Sequence, residues 1–264
     1  MPDFHALIPA RLASSRLPEK PLADLGGVPM VVRVARRAEA SGASRVVVCA
    51  DHQRLLAACR EHGVESILTA AEHPSGTDRL AEAAQRLGLD ASAVVVNVQC
   101  DEPLIDPATI RAVAQLLLAR AECEIATVAH PLHNLQELFD PNVVKVVTNA
   151  VGLALLFSRA PIPWSRDHFA HAWQDGSARQ TSTPWPDDVQ ALRHVGLYAY
   201  RAGFLQRFRQ LAPAPIELAE KLEQLRALWY GSLIAVMRID SPLPPGVDTP
   251  EDLARVRALL AGRP

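Results

Sequence analysis

The 264-residue chain is 49% hydrophobic and 21% charged, with a formal net charge of −2. That balance suits one large α/β domain, or a domain with a sizeable insertion, and lacks the basic excess of a nucleic-acid coat. The longest apolar stretch, 143–157, is interrupted by Lys145, Asn149 and Gly152, so no segment reaches the ~18 residues of a membrane span.

Strands are expected at 4–8, 45–50, 64–68 and 93–99, all Val/Ile-rich runs. Each leads to a helix: 29–41 closed by Gly42, 53–62 closed by Gly63, 77–87 followed by Gly88, and one starting at Pro107. Continuous rather than alternating apolar runs imply strands covered on both faces. The expected fold is therefore α/β, a doubly wound, mostly parallel sheet with right-handed crossovers. Such sheets bind ligands beyond the carboxyl ends of their strands. Past residue 125 the pattern changes. Runs at 143–147 and 153–158, around a turn at 149–152, read as an antiparallel hairpin. Residues 163–190 read as a long loop or insertion. A strand at 194–200, a helix at 217–229, a strand at 233–239 and a helix at 249–260 complete the chain.

The first strand is expected by Phe4, with no basic leader and no cleavable apolar stretch before it. Cys49, Cys59, Cys100 and Cys123 form no CxxC pair, and a reduced buried thiol is the default for such residues. Both features point to a cytoplasmic protein.

The richest segment is 7–20, LIPARLASSRLPEK. After the first strand it presents Arg11, Arg16 and Lys20 on a loop that Pro9 and Pro18 keep out of a helix. Small residues, including Ala10 and Ser14, let the backbone approach a ligand. Three cations beside exposed N–H groups suit a polyanion such as a nucleoside triphosphate. Asp101 follows the fourth strand and Asp248 precedes the last helix, so both carboxylates are expected at strand ends, able to share one hard cation such as magnesium. Asp248-Thr249-Pro250-Glu251 reads equally as a helix start, with Thr249 as cap and Pro250 in the first turn. His130/His133 and His168/His171 have metal-like spacing but no nearby acidic or cysteine partner, and read as surface histidines.

The runs LIPARLASSRLPEKPLADLGGVPM, HPSGTDRLAE, NVQCDEPLI, FSRAPIPW, RHVGLYAYR, LEQLRALWYG and GVDTPEDLARVR, in this order, resemble the 3-deoxy-manno-octulosonate (Kdo) cytidylyltransferases. The resemblance covers about 5–260, apart from 165–190. One departure stands out: the family usually has glycine where this chain has Cys100. The resemblance implies a nucleotide-diphospho-sugar transferase-like single domain, 1–264. In it 1–125 mainly binds CTP, 126–215 is a sugar-binding and dimerisation insertion, and 216–264 returns to the main sheet. It implies CTP and Kdo as substrates, Mg²⁺ as cofactor, a homodimer, and no nucleic-acid or membrane partner.

The roles it implies fall on named residues. Arg11, Arg16 and Lys20 would hold the phosphates, with Pro9, Ala10, Ser14, Ser75 and Arg79 around the nucleotide. Arg79 alone reads also as a surface partner of Glu82 at i+3. Gln99 would touch both substrates near the reacting centre, and Asp101 and Asp248 would bind Mg²⁺. Arg11, Arg16, Lys20 and Asp101 would carry catalysis. Arg159, His194, Tyr198, Glu223 and Gln224 would form the sugar pocket. Without the resemblance, Glu223 and Gln224 are solvated positions beside an apolar stripe of Leu218, Leu222, Leu225 and Trp229. Competing readings are a cytidylyltransferase for 8-amino-Kdo or a sialic acid, and a non-catalytic nucleotide-binding regulator. A dinucleotide-dependent dehydrogenase fails, because no GxGxxG follows the first strand.

Overall fold

The computed structural model describes residues 3–14, 16–169, 185–186 and 189–262. The chain divides into two compact units: Met1–Ala119 with Leu197–Gln210 and Leu243–Pro264, and Arg120–Gly196 with Leu211–Pro242.

In the first unit, strands β1 (His5–Ala10), β2 (Arg45–Ala50), β3 (Ser66–Leu68) and β4 (Val94–Asn97) lie parallel in the order β3-β2-β1-β4. Every residue of β4 is buried, as are five of the six in β2, which is what unbroken Val runs require when both faces are covered. Helices α1 (Met30–Ala40), α2 (Gln53–Glu61), α3 (Gly76–Arg86) and α4 (Pro107–Ala119) make the crossovers. α1 buries Met30, Val31, Val34, Ala35 and Ala38 on one face and ends at Gly42, whose φ of 81° is open chiefly to glycine. The expected mostly parallel α/β sheet is present. It gains an antiparallel neighbour where the end of β8 (Leu192–Arg201) pairs with β4. α6 (Ala202–Phe208) follows, and α9 (Pro250–Ala261) closes the chain.

In the second unit, β5 (Ile125–Pro131) pairs in parallel with β9 (Ile234–Arg238). The expected hairpin forms as β6 (Lys145–Thr148) and β7 (Ala154–Ser158), and β6 also takes the first residues of β8. Short α5 (Leu135–Phe139) contributes Leu135 and Leu138 to a core with Leu132, Val143 and Phe169. Two expectations need correcting. The pattern does not lapse at 125, since β5 is as continuous and buried a run as β2. The helix expected at 217–229 is two helices, α7 (Pro215–Glu220) and α8 (Gln224–Trp229). Lys221 turns the chain between them with a left-handed φ of 54°. The apolar stripe breaks with it: Leu222 and Leu225 are buried, while Leu218 and Trp229 are 53% and 59% exposed. Most of the expected 163–190 loop lies outside the described residues, as does His171. His168 is exposed, but His130 is buried at 6% exposure rather than on the surface.

Lys145 is the second unit's principal polar tie. Its ammonium is fully buried and donates to the carbonyls of Asp140, Val143 and Arg159 at 2.9, 2.6 and 2.7 Å. Its three protons meet three acceptors, so the charge is tolerated although burial pulls its pKa down to about 8. Lys145→Met keeps the volume but strands those carbonyls. It is expected to lower stability by about 3 kcal/mol in urea unfolding.

Candidate active site

Beyond the carboxyl ends of β1 and β4 a cavity of about 340 Å³ opens, lined by Pro9, Arg11, Ser14, Arg16, Lys20, Arg79, Gln99, Cys100, Asp101 and Asp248, among others. The cationic loop does not float free. Lys20 begins a short 3₁₀ turn, Lys20–Leu22, directly after Glu19, whose left-handed φ of 54° redirects the chain. From there its ammonium reaches Asp101 Oδ2 at 2.7 Å and Asp248 Oδ1 at 2.9 Å. Arg16 Nη2 lies 3.2 Å from Asp248 Oδ2. Two carboxylates distant in sequence thus meet at one positive centre. Burial pulls the Lys20 pKa down, but the two aspartates outweigh it and hold it above the ordinary lysine value.

The backbone explains why Asp248 arrives there. The N–H of Val247 donates to Asp101 O at 2.8 Å, and the Val247 side chain is fully buried with Leu25, Met30, Leu104, Leu253 and Val256. At Gly246 a β-carbon would stand 3.2 Å from Asp101 O, so a side chain there would press the two segments apart by a few tenths of an ångström. Both readings of the 248–252 segment hold. Thr249 caps α9 by accepting the Asp252 N–H at 3.2 Å, and Asp252 in turn accepts the N–H groups of Asp248 and Thr249. Capping frees the Asp248 carboxylate rather than using it.

Arg79 is not a surface ion-pair partner. It is fully buried in α3, and Glu82 is taken instead by His73, the Ala70 N–H and Arg86. Arg79 Nη1 donates to Thr69 Oγ1 and, at 2.9 Å, to Ala70 O. Its Nε and Nη2 are buried with no partner; among the described residues, Asn97 Oδ1 alone shares that condition. Orphaned buried donors at a cavity wall point to ligand acceptors. Asp51, past the end of β2, is a residue the sequence reading missed. It accepts the Leu12 N–H at 2.9 Å and lies 4.0 Å from Arg79. Its signal was positional: an acidic residue closing a buried strand at the sheet's binding end.

The other expected residues divide. Ala10 is the buried end of β1, and Ser75 uses its hydroxyl to cap α3 through Asp78. Cys100 is buried at the cavity wall, and burial together with Asp101 pushes its thiol well up, so it stays a neutral packing group there. Tyr198, on the first unit's part of β8, stacks on Tyr200 with ring centres 5.5 Å apart. In the second unit, Arg159 gives Nε to Glu220 O and Nη1 to Pro141 O, at 2.7 and 2.8 Å. Glu220, another residue missed, receives Ser158 Oγ and the Arg159 N–H. Glu223 and Gln224 are half-buried at the start of α8. His194 Nε2 lies 3.0 Å from Thr127 Oγ1, and its ring edges Phe157. Burial pulls the His194 pKa down to about 3, so at neutral pH it offers a neutral ring rather than a cation.

Among the described residues, no group of three or more His, Cys, Asp and Glu side chains forms a metal site of its own. Asp101 and Asp248 suit a hard divalent ion whose remaining ligands come from water and phosphate. They are oxygen donors converging on one cationic point, and Lys20 marks that point here.

Residues 5–239 match the Cytidylyltransferase family. The structure is similar to a CMP:2-keto-3-deoxy-manno-octonic acid synthetase complexed with CTP, at 38% identity and a TM-score of 0.86, covering 98% of each chain. It shares its fold with a cytidylyltransferase from Leptospira borgpetersenii, at 15% identity and a TM-score of 0.61 over 99% of this chain and 88% of that one. The same holds for a putative glucose-1-phosphate thymidylyltransferase from Bacillus anthracis, at 15% identity and a TM-score of 0.64 over 99% and 96%.

Two outcomes follow. Gly246→Val crowds Asp101 O and is expected to shift Asp101 or the 246–248 segment by a few tenths of an ångström. It is expected to cut turnover roughly a hundredfold, by steady-state kinetics, while the melting curve stays cooperative. For His194 the unfolded chain takes up a proton near pH 6.5 and the folded one only near pH 3, so folded stability falls as pH drops below 6.5. In His194→Gln that decline, read from urea midpoints between pH 7 and 4.5, is expected to be shallower by about 1 kcal/mol per pH unit.

Proposed function

The chain belongs to the cytidylyltransferase family, and we propose that it transfers CMP from CTP to the anomeric hydroxyl of Kdo, releasing pyrophosphate. The observation that carries this reading is the meeting of Asp101 and Asp248 on one cation inside the cavity that Arg11, Arg16 and Lys20 enclose. The 38% identity to a CMP:2-keto-3-deoxy-manno-octonic acid synthetase supports the choice of sugar.

In the proposed reaction the anomeric oxygen attacks the α-phosphorus in line. The bond from that phosphorus to the bridging oxygen of the β-phosphate breaks, and the hydroxyl proton passes to solvent. Mg²⁺, held by Asp101 and Asp248, would supply charge neutralisation at the phosphates and a lowered pKa for the attacking hydroxyl. The chain's own residues position and neutralise. Arg11 and Arg16 receive the triphosphate, and Lys20 offsets the charge that develops on departing pyrophosphate. Gln99 lines the cavity and would touch both substrates near the reacting centre. Arg159, Tyr198, Glu223, Gln224 and neutral His194 would recognise the sugar by hydrogen bonds, with Arg159 as the cation for its carboxylate.

We further propose a cytoplasmic homodimer. Cys49, Cys59, Cys100 and Cys123 are all free and buried, as a reducing compartment favours. Among the described residues no helix is long and apolar enough to cross a membrane. The second unit exposes Val151, Leu155, Trp229 and Tyr230 by 47–62%, apolar surface that a second copy would cover.

Pyrophosphate release with CTP, Mg²⁺ and a panel of Kdo, 8-amino-Kdo and a sialic acid tests the activity. Kdo is expected to be preferred. Asp101→Asn and Asp248→Asn are each expected to lose at least ~100-fold in turnover while their melting curves remain cooperative. No pyrophosphate from the parent enzyme with any member of the panel would contradict the proposal, and full activity in either variant would remove that aspartate from the metal site.

A further inference from the structure

Asp51 has no place in the machinery described so far, yet it holds two parts of it. Its Oδ1 accepts the Leu12 N–H at 2.9 Å, and its own N–H donates to Ala10 O at 3.3 Å. The chain is thereby fixed on both sides of Arg11. Its Oδ2 stands 4.0 Å from Arg79 Nη2, near enough to offset the guanidinium charge and too far to take its hydrogen.

That spacing is unlike a second buried arginine–carboxylate pair among the described residues. Glu217 takes Arg226 through two short contacts, 2.5 and 2.8 Å, and so occupies the donors on that edge. Arg79 is more deeply buried than Arg226, yet its Nε and Nη2 reach no acceptor, while Nη1 is anchored to Thr69 and Ala70. Desolvation disfavours the Arg79 charge and the Asp51 carboxylate opposes that. Its anchoring on one side, counter-charge at a distance and two bare adjacent donors at the cavity wall suit a guanidinium kept for a ligand.

We infer that Asp51 is a positioning residue for nucleotide recognition, holding the Arg79 guanidinium aimed so that Nε and Nη2 meet acceptor atoms of the nucleoside. Asp51 touches no substrate and acts through Arg79 and through the backbone at Leu12. This rests on the CTP reading given above. Inorganic triphosphate, which has the phosphates without a nucleoside, separates the two.

Calorimetric binding of CTP and of inorganic triphosphate, without sugar, to the parent, Asp51→Asn, Arg79→Lys and the double variant is the test. Asp51→Asn keeps an oxygen for the Leu12 N–H but loses the charge. It is expected to weaken CTP about tenfold and to leave inorganic triphosphate within about twofold. In the Arg79→Lys background the same change is expected to add nothing. An unchanged CTP-to-triphosphate ratio in Asp51→Asn, an equal loss of both ligands, or fully additive losses would overturn the inference. Should Asp51→Asn not fold, Asp51→Glu, which keeps the charge but displaces it by a methylene, takes its place with the same expected change in ratio. A parent protein that binds CTP no better than inorganic triphosphate overturns the CTP reading instead.

Discussion

Two carboxylates held side by side repel, and everything at this site follows from how Asp101 and Asp248 are nevertheless kept together. At the effective dielectric of a protein surface, like charges a few ångströms apart cost about 3–4 kcal/mol. The fold meets that cost locally. A backbone hydrogen bond from Val247 to Asp101, the buried Val247 side chain and the bare α-carbon of Gly246 fix the two segments. Lys20, with Arg16 beside it, supplies the opposing charge. The result is a pair of hard oxygen ligands around one positive centre, favourable for whichever cation satisfies them best.

The same logic governs the cavity's other wall. Arg79 is anchored by one nitrogen and left bare at two, with Asp51 near enough to stabilise its charge. Both walls hold charges that the protein alone satisfies only in part. Such preorganisation costs stability in the empty site and lowers the reorganisation needed when substrate arrives. Elsewhere buried Lys145 is matched by three carbonyls and Glu217 by Arg226.

Much of this was legible in the sequence, for identifiable reasons. The parallel sheet could be read because β2 and β4 are unbroken Val runs and β1 an Ala-Leu-Ile run, each followed by Pro or polar residues. The cationic loop could be read because three cations within ten residues follow a strand, on a segment that two prolines keep out of a helix; a solvated basic loop was the alternative. Asp248 kept two meanings, since a capping segment and a metal-binding segment share the same letters; the structure reconciles them by giving capping to Thr249 and Asp252. β5 escaped because its run ends in His-Pro and adjoins no turn signal. The break at Lys221 escaped because a left-handed lysine leaves no mark in a periodic pattern. Asp51 and Glu220 act by bonding backbone atoms far away in sequence, a property no local pattern encodes. Arg79 kept a surface reading beside the nucleotide one because i+3 spacing to Glu82 cannot tell which face of a helix is covered.

The central claim is that Asp101 and Asp248 jointly serve one divalent ion at the point Lys20 now occupies. A structure of the protein with CTP and Mg²⁺ tests it most directly. The expected result is a single ion at about 2.1 Å from one oxygen of each aspartate and from phosphate oxygens of the nucleotide, with Lys20 turned onto the triphosphate. A metal held by phosphate alone, with Lys20 still joining the two aspartates, would contradict it.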